Sequence, residues 1–530
     1  MKVQPVDQAQ PIYASNFATL CRWIANWWHR SQIGHRSEYS VERLLAFRDY
    51  YKCTSFTRVV AVCILTPLPA ITVALLIDCT PLRSPSDGWK ANYAFWIRWF
   101  FALVAVSVGA TAQIREVILP EAISNAEAVA ISLGTAITDL SVALALAVTW
   151  RFPIPFGYIL MVGPYMLILL GFTLMIIGRR LLTESPVLRQ QIKSQATIIF
   201  AQGAVAMAYP FFTAVFTRLS GSQQTVFVIV TPLFKFITKH IIANAAQGLH
   251  EYVGPIVVFS VDVFSVFYVA ICMQISKTVV TTLLIIASDS FHVIVALRII
   301  SHQANVFESS REEGPSSTMN YLDDLPEMLQ HIFDDPVTLS DGHRFRVTAP
   351  FPLPLSVERK KSSRKGSTPR RLLMLMNSDV ATSANRLRSA LLEEAVCDAL
   401  QVLFHSEYVL MTEYIECVLP MLYAIYLPIL FHLPVAQFYP QTASSTPDKV
   451  KQDVINIIMF GAVEFVGFVG LLSLLKRKFG ISPLYQLAFV LETQVRTVQG
   501  HLFVWIVFIL HMPLMHYGKF FVAQVVGRFG

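Results

Sequence analysis

The stretch VINIIMFGAVEFVGFVGLLSLL, residues 454–475, followed at once by Lys476, Arg477 and Lys478, decides the fold class. A bilayer core needs roughly 20 apolar residues per helix. Lipid offers the backbone no hydrogen-bond partner, so an apolar run of this length is expected to be helical. One carboxylate, Glu464, falls at its centre, and three basic residues close it where a helix would leave the membrane.

Ten further runs of this kind lie at 59–77, 92–112, 126–149, 158–177, 196–216, 225–242, 253–275, 278–300, 414–433 and 500–516. They are continuous, whereas a β-barrel would show alternating ten-residue segments. The expected fold is therefore all-α, a polytopic integral membrane protein with about ten or eleven transmembrane helices. The composition agrees. Of 530 residues 54% are hydrophobic and 15% charged, against about 25% charged in soluble domains. The run at 225–242 is the weakest, because Lys235 and Lys239 interrupt it; it either crosses or lies in the interface. Residues 484–491 are too short to cross and read as re-entrant or interfacial. TPLPA, at 66–70, should kink the first span, since each proline removes a backbone bond.

Basic residues cluster in every second gap. With the N-terminus cytosolic, the cytosolic segments hold 29 Lys and Arg and the exterior ones 9, with four more in or beside spans. Excess Lys and Arg mark cytosolic loops, so the expected orientation is N-terminus inside and C-terminus outside. The net charge of +7 then reports topology, and no nucleic-acid partner is expected. Seven scattered cysteines form no C-x-x-C pair and suggest neither a disulfide framework nor a zinc site.

Four regions follow. Residues 1–58 form a cytosolic or interfacial amphipathic region, with Trp23, Trp27 and Trp28 beside Arg22 and Arg30, and with Ser40 placed to cap a helix VERLLAFRDYYK. Residues 59–300 form a bundle of spans one to eight, and 414–530 carry spans nine to eleven. Between them 301–413 is a largely disordered cytosolic insert, rich in Pro, Ser and charge, ending in an amphipathic helix that leads into span nine. Its basic run, Arg359, Lys360, Lys361, Ser362, Ser363, Arg364, Lys365 and Ser367, has two readings. One is a solvated basic loop; the other is a contact with anionic lipids at the cytosolic face, switched by phosphorylation.

Ionisable groups at membrane depth are costly and are functional candidates by default. They are Asp139, Asp262, Asp289, His292 and Glu464, with Asp289 and His292 three apart on one helical face. Such groups either handle protons or ions, or pair with neighbouring helices as hydrogen-bond glue. Lys235 and Lys239 would be partners for these acids if the sixth span is buried. No Walker, G-x-S-x-G, H-E-x-x-H, D-x-D or intramembrane aspartyl-protease motif is present, so no catalytic residue, metal ligand or cofactor is assigned.

Several stretches taken together, ERLLAFRDYYKCTSFTRVVAVCILTPLPA, PLRSPSDGWKANYAFWIRW, YIECVLPMLYAIYLPILFHLP and KFGISPLYQLAFVLETQ, are similar to a known group. They resemble a lineage-restricted family of uncharacterised multi-pass membrane proteins from filamentous eukaryotic microbes. The resemblance covers most of the chain outside 301–400. It implies a polytopic protein of eukaryotic origin and carries over no site residue. The leading expectation is a transporter or channel-like protein for a small solute or ion that uses buried carboxylates. The alternative is a non-transporting scaffold or receptor acting through its insert.

Overall fold

The computed structural model describes residues 33–35, 37–118, 122–178, 183–216, 219–220, 222–223, 230–275, 294–295, 297–298, 300–301, 320–334, 345–349, 383–443 and 445–518. Asp289, His292, the basic run 359–367 and the tryptophans at 23, 27 and 28 lie outside them. Among the described residues all regular structure is helical. The protein is an all-α polytopic membrane protein.

Helix α1, Val41–Cys53, is capped as its sequence suggests, with Ser40 Oγ accepting from the Arg43 amide. Its other early N–H groups would be orphans at a helix start. The amides of Val41 and Glu42 are met by the carbonyls of Arg346 and Val347, at 3.0 Å each. The first span divides into α2, Phe56–Leu65, and α3, Leu68–Asp78. The break falls at Thr66 and Pro67, and the Gln499 amide donates to the Thr66 carbonyl at 2.7 Å, satisfying an acceptor that the break exposes. Next come α4, Tyr93–Val117, α5, Asn125–Thr149, α6, Gly157–Ile177, and the 31-residue α7, Pro186–Phe216, which covers the run 196–216 but is not among the helices apolar enough to cross a membrane.

Helix α8, Val230–Ala245, has 16 residues, about 24 Å of helix at 1.5 Å per residue. A following span is irregular. A 3-10 segment Gln247–Tyr252 leads into α9, Val253–Val257, a π-helical turn Val258–Asp262, and α10, Val263–Ile275. The insert contributes α11, Tyr321–Asp334, which buries Tyr321, Leu322, Leu325, Leu329 and Ile332 on one face. That spacing is the helical pattern of a packed element, so this part of the insert is ordered where the sequence reading expected a loop.

One continuous helix, α12, Ser383–His432, runs 50 residues from insert into membrane. The boundary drawn at 413/414 therefore falls inside a single helix. Then come α13, Pro447–Phe479, ended by Gly480 at φ +70°, and α14, Pro483–Thr493, which meets α15, Val495–His511, at 81°. A left-handed terminal residue suits glycine because it has no Cβ to clash. Residues 484–491 thus form the short arm of a broken span or re-entrant loop. Among the described residues seven helices are long and apolar enough to cross a membrane, eight if the bent pair is one span.

Candidate functional site

Two buried polar plates close the bundle at opposite ends. At the end carrying residue 41, Arg43 Nη2 donates to both Glu407 oxygens at 2.8 and 2.9 Å, and its Nη1 lies 3.9 Å from Glu251. Tyr39 donates to Glu407 and accepts from Gln486 at 3.1 Å. Burial works against the Arg43 charge, but Glu407, Tyr39 and Glu251 more than offset it, so the guanidinium holds its proton more tightly than usual. At the other end Asp78 pairs with Arg98 and accepts from Tyr426 and Tyr439 at 2.7 Å each, with His511 Nε2 at 3.4 Å. Most of these pairs join segments more than 200 residues apart in sequence.

Between the plates lies an ionic cluster. Lys235 and Lys239, four apart on α8, share a helical face that turns inward, where their side chains are 15% and 13% exposed. Lys235 Nζ sits 3.1 Å from Asp262 Oδ1 and 2.8 Å from Glu416 Oε1; Lys239 Nζ sits 2.8 Å from Asp262 Oδ2. Lys239 also donates to the Tyr408 hydroxyl at 3.0 Å. Asp262 ends the π-helical turn, an irregularity frequent at functional sites. Beyond Glu416 the cluster widens: Glu413, Glu416 and Glu464, all buried, place carboxylate oxygens within 4.8 Å of one another.

The chemistry of this arrangement follows from its charge. Three buried carboxylates (Glu413, Glu416 and Glu464) meet beside the Asp262–lysine contacts, and Glu416 belongs to both groups. Like charges at this spacing in a low-dielectric interior cannot all persist without protons or cations among them. Three oxygen ligands so placed suit a hard cation, or one or two shared protons.

The third described candidate is elsewhere. Asp139 is fully buried on α5 and lines a separate cavity with residues of α4, α6, α7 and α15. Of the sequence candidates, then, Asp262 and Glu464 come together through Glu416, Asp139 stands apart, and Asp289 and His292 are outside the described residues. The conditional pairing of Lys235 and Lys239 with intramembrane acid is realised.

Sequence reasoning missed Glu413 and Glu416. They sit three apart within apolar sequence just where span nine was taken to begin, and only the longer helix puts them inside the bundle. It also missed the Arg43 plate, whose partners are more than 200 residues away.

Comparison with known proteins gives no match: no family model fits the chain, and no curated protein or solved structure is similar to it.

Proposed function

We propose that this chain is a membrane transporter or channel-like protein that moves a small solute or ion by way of the carboxylate–lysine cluster. The observation that carries the reading is the meeting of three buried carboxylates within 4.8 Å, joined through Glu416 and Lys235 to Asp262 at the end of a π-helical turn. Carboxylates this close in a buried site stay together by sharing protons or a cation, which is what an exchanging site uses. Helix α12 supports the same reading. It carries Glu407, Tyr408, Glu413, Glu416 and Tyr426 from one plate to the other, about 28 Å at 1.5 Å per residue.

The test is flux in sealed proteoliposomes, followed with a pH-sensitive dye and with alkali or divalent cation gradients. The wild type should dissipate at least one of these gradients. Glu464→Gln should slow that flux at least ten-fold while eluting and melting like the wild type. Wild-type vesicles no leakier than empty ones under every gradient, or a Glu464→Gln variant with unchanged flux and pH dependence, would end the proposal.

The scaffold or receptor reading keeps one observation of its own: α12 joins the insert to the membrane core without a break. It predicts that deleting 301–382 abolishes the protein's cellular role while Glu464→Gln is silent.

A further inference from the structure

A second site, independent of the cluster, lies at Asp139. Its carboxylate is fully buried, and neither oxygen has a hydrogen-bond partner among the described residues. It faces a cavity of about 90 Å³, several times the 10–15 Å³ that one water requires. Apart from Gln202, whose amide bonds to Ser260 and His501, the rest of the lining is mostly apolar and strongly aromatic: Trp99 from α4, Tyr158 and Tyr165 from α6, and Trp505 and Phe508 from α15. Trp505 also buries its Nε1–H without an acceptor among the described residues.

This combination has a chemical reading. A carboxylate in such surroundings carries a large desolvation cost unless it is protonated or a positive partner joins it, and a ligand that brings the positive charge favours the ionised form. No described Lys or Arg lines the cavity, so the counter-charge is not supplied by the lining. Aromatic rings attract an organic cation through their quadrupoles, most strongly when both are out of water. A preformed, mostly apolar pocket with one charged group that fixes orientation is the common form of a small-ligand site.

We infer that the Asp139 cavity binds a small protonated amine, its ammonium group on the carboxylate and its carbon atoms against the aromatic wall. The size suits methylammonium and its near homologues better than a drug-sized cation. A bare alkali ion would use the acid but gain little from the apolar remainder of the wall.

The experiment uses the full chain, purified in detergent, and radiolabelled methylammonium at constant ionic strength. No gradient is involved, so its outcome is separate from that of the flux assay. Binding should saturate and be competed by unlabelled methylammonium far better than by sodium or potassium. Asp139→Asn should weaken it at least ten-fold. That variant removes an unpartnered charge and keeps the side-chain volume, so its melting temperature should not fall. Ala206→Leu, which fills the cavity and leaves Asp139 in place, should weaken binding as well. Glu127→Gln, an exposed acid at the start of the same helix, should leave binding within two-fold. Absence of saturable binding to the wild type, undiminished binding to Asp139→Asn, or equal competition by sodium or potassium would each overturn the assignment.

Discussion

Asp262 is held on both oxygens by lysines that belong to one helix. Buried pairs of this kind contribute little net stability, yet losing one partner strands the other's charge. Asp262→Asn should therefore destabilise the protein by about 3–5 kcal/mol, because Lys239 loses its one carboxylate contact among the described residues while Lys235 retains Glu416. Adding Lys239→Met to Asp262→Asn should recover most of the loss, since the stranded charge goes with it. Denaturant or thermal melts of the single and double variants in one detergent check this. A double variant as unstable as the single one would mean that shape, not charge, sets the cost. The same residues mark what a sequence conveys. Asp262 and Glu464 are visible because each stands alone in an apolar run. Arg43 is not, since nothing in VERLLAFRDYYK distinguishes an arginine on water from one that meets Glu407 across the fold.

At the scale of helices, packing rather than hydropathy decides what the sequence leaves open. Helices in lipid associate through close van der Waals contact, and small residues allow it. Helices α4 and α15 cross where Gly109 and Gly500 face each other. A Cβ on Gly109 would lie 2.6 Å from the Gly500 carbonyl oxygen, and one on Gly500 2.7 Å from that of Gly109. Those obstacles are backbone, so they cannot swing aside. Gly109→Ala and Gly500→Ala should each cost about 1–3 kcal/mol. Gly88→Ala, in open space at the start of the short helix Gly88–Ala91, gives the comparison for steric crowding, although its φ of +84° adds local strain of its own. Melting temperatures of the two interface variants indistinguishable from wild type would show that the crossing can open without penalty. Span positions were largely legible because twenty-residue apolar runs have few alternative fates in a bilayer. Span limits were not. Helix α12 carries no proline or glycine between its charged start and Pro420, so nothing local tells where insert ends and membrane begins.

For the whole molecule, the two polar plates and the basic-residue pattern are independent signs of one arrangement. Chain segments that strict alternation assigns to the same end do meet there: Arg43 with Glu251, Glu407 and Gln486, and Asp78 with Arg98, Tyr439 and His511. That agreement fixes which ends belong together but not which one faces the cytosol. The lysine and arginine bias supplies the sign and predicts residue 41 inside. Cys53 and Cys79 lie just outside opposite ends of the first span, and both are exposed. In intact cells or right-side-out vesicles a membrane-impermeant maleimide should label Cys79 and spare Cys53 until the membrane is permeabilised. Variants that keep only one of the two cysteines make the assignment unambiguous. Labelling of Cys53 alone would invert the orientation of every span and place the insert outside, where an anionic cytosolic leaflet could not reach its basic run. Labelling of both before permeabilisation would mean that the first span does not cross, and that the alternation on which the plates depend begins elsewhere.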